Sequence, residues 1–102
     1  MNKKKSHTVI VQKDLEDLIP VFMSNRRKEI ETLRLALAAA DFEQLRQVGH
    51  RMRGVGVSYG FELISAIGKQ VEDGAIAGDR TGIASCIAEY SDYISNVQIS
   101  YE

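Results

Sequence analysis

The sequence predicts an all-α fold, an antiparallel four-helix bundle with a short extra N-terminal helix or arm. Two observations predict it. Apolar residues recur at three- and four-residue spacing from about residue 14 onward. Helix start and stop signals stand between those stripes and divide them into lengths that short connections fold into antiparallel neighbours.

Residues 1–13 read differently from the rest. Lys3-Lys4-Lys5 is a basic tip, and Thr8-Val9-Ile10-Val11 is a β-branched run that suits a short strand or an extended arm. A lone strand cannot pair with itself, so this segment needs a partner or simple packing against the body. Residues 14–102 are expected to form the bundle. Asp14 to Ile19 makes one short helical turn. Pro20 suits the first turn of the next helix, where its missing N–H costs nothing. That helix is expected to reach about Ala39, with Phe22, Met23, Ile30, Leu33 and Leu37 inward and Arg26, Arg27, Lys28, Glu29, Glu31 and Arg34 in solvent.

Asp41 reads as an N-cap, with Gln44 three residues on as its capping-box partner. Leu45, Val48, Met52, Val55 and Tyr59 form the following stripe. Gly60 breaks it, and Phe61, Leu63, Ile64, Ile67 and Val71 form the next. Gly78 stops that helix and Asp79 starts the last one. Ile83, Ile87, Tyr90, Ile94, Val97 and Tyr101 then continue a bundle seam to the chain's end.

Composition limits the function. In 102 residues there is room for one small domain and no deep enzyme pocket. Thirteen basic against fourteen acidic residues give a net charge of −1, without the basic excess of a nucleic-acid binder. The single cysteine, Cys86, permits no internal disulfide and suits a reducing, cytoplasmic setting. Two histidines and one cysteine show no metal-ligand spacing. No apolar run is long enough for a membrane span or a signal core, and no exposed apolar seam suggests an oligomer, so a monomer is expected.

One residue does not belong to the core. On a helical wheel with Met52 at zero, Leu45, Val48, Val55 and Tyr59 fall within about 60° of it, whereas His50 falls at about 160°. Arg46, Arg53 and Val57 flank His50, and Gly54 sits one turn on, on the same face. Gly49, Gly54 and Gly56 each cost about 1 kcal/mol relative to alanine inside a helix. Gly49 and Gly56 lie nearer the core, where they permit close helix packing. Gly54 faces outward, and leaves room for something bulky to approach His50. A neutral imidazole is a nucleophile and carries a phosphoryl group on a ring nitrogen. Arg46 and Arg53 are placed to stabilise such a group. Glu72 or Gln70, from the next helix, is placed to hold the other ring nitrogen and fix the tautomer.

The segment His50-Arg51-Met52-Arg53-Gly54-Val55-Gly56-Val57-Ser58-Tyr59-Gly60 resembles the signature of histidine-containing phosphotransfer (HPt) domains. The shared elements are the histidine, a basic residue three positions later, the glycine after it, and a second glycine ten positions from the histidine. The similarity extends over roughly residues 14 to 100. It implies that His50 is the phosphoryl acceptor, normally through Nε2, that Arg53 helps hold the phosphoryl group, and that Glu72 orients the ring. Two departures stand out: the family more often has lysine where Arg53 stands, and glutamine is well known at the Glu72 position. Arg51 stands where histidine-kinase dimerisation domains carry an acidic residue.

The resemblance implies a passive relay rather than an enzyme. There is no phosphate-cradling glycine-rich loop, so the chain has no route to phosphohistidine from ATP. Response-regulator receiver domains and a hybrid sensor histidine kinase are the implied partners. The chain needs no cofactor of its own, because Mg²⁺ comes with the receiver. Gly54, Val57, Arg51, Gln47 and parts of the short N-terminal helix are the expected docking surface, with Arg46 on its rim. Two other readings remain on the residues alone: a docking module without phosphate transfer, and an enzyme such as a phosphohistidine phosphatase or metal hydrolase. The enzyme needs a second catalytic group near His50, and only Glu72 is available.

Overall fold

The computed structural model describes residues 7–102; the Lys3–Lys5 tip lies outside the described residues. The chain runs as strand β1 (Thr8–Val11), a 3-10 turn (Lys13–Leu18), and helices α1 (Ile19–Ala38), α2 (Phe42–Tyr59), α3 (Glu62–Ala77) and α4 (Arg80–Asn96), and ends in strand β2 (Gln98–Tyr101). The four helices pack around one core, which includes Leu33, Leu45, Met52, Phe61, Ile64, Ile83 and Tyr90, all fully buried.

Local chemistry sets the helix ends. Pro20 lies in the first turn of α1. Asp41 accepts a hydrogen bond from the Gln44 backbone N–H at 3.1 Å and caps α2; Asp79 does the same for α4 through Gly82 N–H at 3.0 Å. Each such cap is worth about 1 kcal/mol. Gly60 adopts φ +86°, a left-handed conformation that other residues enter at a cost. With Gly60 turned this way, the Phe61 N–H reaches the Gly56 carbonyl at 2.7 Å, and α2 closes in a Schellman turn that buries Phe61.

Two expectations need correction. The last helix does not carry Val97 and Tyr101. It ends at Asn96, Val97 turns extended, and β2 pairs in parallel with β1, in the register Thr8↔Gln98 to Val11↔Tyr101. The arm thereby gains the partner strand it needed, and the whole bundle serves as the crossover that a parallel pair requires. Val97, Ile99 and Tyr101 point toward the core and alternate with exposed Gln98 and Ser100. The second correction concerns Glu29, which is buried rather than solvated. It accepts a hydrogen bond from the Tyr90 hydroxyl at 2.6 Å and ties α1 to α4. Arg26 Nε lies 3.1 Å from the same carboxylate oxygen but off the line of a hydrogen bond, so this contact is ionic.

Helices α2 and α3 approach most closely, and glycine makes this possible. A methyl group on Gly49 would lie 2.7 Å from both Glu72 N and Gly68 O. On Gly68 it would lie 2.6 Å from Met52 Cβ, and on Gly56 2.5 Å from Ser65 Oγ. The backbones touch, and side chains just outside this contact line are forced together.

Candidate functional site

His50 follows Gly49 on α2, and Glu72 is the residue whose backbone N–H Gly49 abuts on α3. The close approach therefore delivers the Glu72 carboxylate to the imidazole. Glu72 Oε2 lies 3.2 Å from His50 Nδ1, and Glu72 Oε1 accepts a hydrogen bond from Arg53 at 2.7 Å. The Glu72 side chain is 12% exposed, whereas that of His50 is 68% exposed. The carboxylate thus lies beneath an imidazole that faces solvent. The Arg53 hydrogen bond holds the Glu72 carboxyl below its ordinary value of 4.5, against a smaller opposing effect of burial; the His50 contact lowers it further. An ionised carboxylate on Nδ1 selects the tautomer with the proton there and leaves the Nε2 lone pair outward.

Gly54 stands open. A methyl group built on it would meet no heavy atom within 4 Å among the described residues, so none of them requires a glycine there. His50, Arg53, Gly54 and Val57 of α2, with Ser65, Ala66 and Lys69 of α3, line a shallow concavity of about 600 Å³. Val57 is 64% exposed, an apolar contact point two turns from His50. The Ser65 hydroxyl bonds to the Arg53 carbonyl at 2.7 Å and pins α3 to the turn bearing Arg53. The Phe22 ring stacks on Tyr59 at 4.4 Å, which places the start of α1 against the end of α2 beyond Val57.

The other candidates distribute as follows. Arg51 is exposed on α2. Arg46 and Gln47 are also at the surface, but both bind Glu43: Arg46 through Nε at 3.1 Å and a terminal nitrogen at 2.5 Å, Gln47 through Nε2 at 3.0 Å. Those bonds pull the Glu43 carboxyl down to about 2. Arg46 is therefore committed to its own helix, one turn from His50, and lies outside the concavity. Gln70 does not reach His50. Two residues before Glu72 on α3, it points toward α4, where its amide oxygen lies 3.5 Å from Cys86 Sγ; of the two, Glu72 is the one in contact with the ring. Lys69 and Ser65 were not anticipated. The signal was their spacing, since each stands one further turn before Glu72 on the same helix.

No group of three or more potential metal ligands occurs among the described residues. None of the described helices is long and apolar enough to cross a membrane. Compared with protein-family models, residues 17–99 match the Hpt domain, well over half of the chain. No curated protein and no solved structure gives a significant match.

Proposed function

Because the chain belongs to the Hpt domain family, whose members carry phosphoryl groups on histidine in phosphorelays, we propose that it relays phosphoryl groups through His50 to and from receiver-domain aspartates. Hpt domains are phosphocarrier modules rather than catalysts, and they work with receiver domains in two-component systems. For this chain the observation carrying the reading is the Glu72 carboxylate on Nδ1 beneath an exposed imidazole.

In the forward step the Nε2 lone pair attacks the phosphorus of the receiver's acyl phosphate. The N–P bond forms as the P–O bond breaks, and the aspartate leaves as a carboxylate. No proton has to depart, because the ring keeps its proton on Nδ1 and becomes an imidazolium. The Glu72 carboxylate stabilises that developing charge through the hydrogen bond it already makes. Arg53 is within reach to hold phosphoryl oxygens from the side. The reverse step returns the group to an aspartate through the same geometry. Mg²⁺ bound with the receiver's aspartate would neutralise phosphoryl charge on that side, and no residue of this chain is assigned to hold it. Gly54 and Val57 provide the open, partly apolar surface on which a receiver seats, with Arg51 and Gln47 at its margin. In-line positioning supplies most of the rate.

The test mixes the protein with a phosphorylated, radiolabelled receiver and Mg²⁺, beside a His50→Ala control. Acid-labile, alkali-stable label on the wild type alone supports the relay. Receivers that bind but transfer nothing would mark a docking module instead.

A further inference from the structure

Phosphorylation of His50 would leave this site short of positive charge. The Glu72 carboxylate uses both oxygens, one on His50 Nδ1 and one on Arg53. The Arg53 cation is therefore already matched before any phosphoryl group arrives. A phosphoryl group brings nearly two negative charges. Glu72 stays ionised beside it, held so by Arg53. Arg53 and a newly formed imidazolium leave that sum short of balance in a site whose floor is an anion.

Among the described residues, one other cation lines the same concavity. Lys69 stands one turn before Glu72 on α3 and shares the hollow with His50 and Arg53. Its ammonium is held at 3.0 Å by Asp73, four residues on, and both side chains are 60% exposed. Exposed pairs of this kind hold weakly and exchange readily. A phosphoryl dianion offers a lysine more charge than one carboxylate does, and the four-carbon stem lets the ammonium swing. Arg46, bonded to Glu43 through two nitrogens, does not line the hollow.

Resting on the phosphotransfer reading, we infer that Lys69 is a second cation of the phosphoryl site, leaving Asp73 to bind the phosphoryl group once it is on His50. Asp73 is then the parking position of the free form. The lysine acts after transfer begins, by stabilising the phosphorylated state.

The experiment phosphorylates the full chain with phosphoramidate and follows the phosphohistidine by ³¹P NMR, for wild type, Lys69→Ala, Lys69→Arg and Asp73→Asn. The equilibrium with a receiver is read in parallel. Lys69→Ala is expected to shift that equilibrium away from the protein by roughly three- to tenfold, as loss of one charge-assisted contact does. Lys69→Arg should largely restore it, which a purely structural role would not. In ¹⁵N-labelled protein the Lys69 Nζ signal should move on phosphorylation and lose its sensitivity to Asp73→Asn. Lys69→Ala with unchanged equilibrium and an unmoved Nζ signal overturns the inference while leaving the relay intact. A wild type that takes no phosphoryl group from either donor overturns both.

Discussion

Gly49 and Glu72 meet backbone to backbone: a methyl group on Gly49 would lie 2.7 Å from the Glu72 nitrogen. This contact brings the neighbouring side chains, His50 and Glu72, within 3.2 Å of each other. The geometry of the His50–Glu72 pair is a consequence of helix packing, set by the glycines on the contact line.

Gly49→Ala tests that dependence. Alanine favours the helix by about 1 kcal/mol, but the clash is with backbone and cannot be relieved by a side-chain rotation. We expect a net loss of about 1–3 kcal/mol in urea unfolding, the usual cost of overpacking. The His50 Nδ1 proton resonance should shift as Glu72 moves away.

Gly54→Ala should do the opposite. The added methyl meets nothing, so the helix gains about 1 kcal/mol and the melting temperature rises. Transfer from a phosphorylated receiver should nevertheless slow, and Gly54→Leu should slow it further. A more stable protein with undiminished transfer would remove Gly54 from the docking surface.

These two glycines show what the sequence discloses and what it does not. Period and caps located the four helices, and the wheel placed His50 opposite Met52. Gly49 and Gly54 separated correctly into packing and open positions. Val97 and Tyr101 fit both patterns because a spacing of four suits a strand as well as a helix: the set Val97, Ile99, Tyr101 satisfies period two. The strand partner that decides between them lies some ninety residues away in β1. Glu29 was misplaced because a charged residue among charges reads as solvated; its partner Tyr90 is on another helix. Gln70 and Glu72 differ by about 200° around α3, and only the position of α2 reveals which one faces His50.

Acid should weaken the fold through Glu72. Its folded-state carboxyl titrates below the ordinary 4.5, so the folded protein binds this proton less readily than the unfolded chain. The resulting stabilisation is complete above the unfolded value and is lost as pH falls through the lower, folded one. Glu72→Gln should remove this contribution to the pH dependence of urea midpoints below 4.5, while still accepting the Nδ1–H bond and retaining transfer. Glu72→Ala should lose transfer by about tenfold or more, the worth of a hydrogen bond to a charged group.

Tyr90→Phe isolates the buried pair. Removing the hydroxyl deprives buried Glu29 of its 2.6 Å donor and should cost about 1–3 kcal/mol. Thermal melting reads the loss. Transfer through His50 should be unchanged below the melting range, since Glu29 and Tyr90 lie on α1 and α4 rather than on the helices that form the site.

The central claim is that Glu72 holds Nδ1 and reserves Nε2 for phosphorus. It is tested most directly by ¹⁵N–³¹P correlation NMR on protein labelled in its histidines and phosphorylated by a receiver. The account predicts a single phosphohistidine, at His50, with phosphorus coupled to Nε2 and the proton on Nδ1. Phosphorus on Nδ1, or on any residue other than His50, would contradict it.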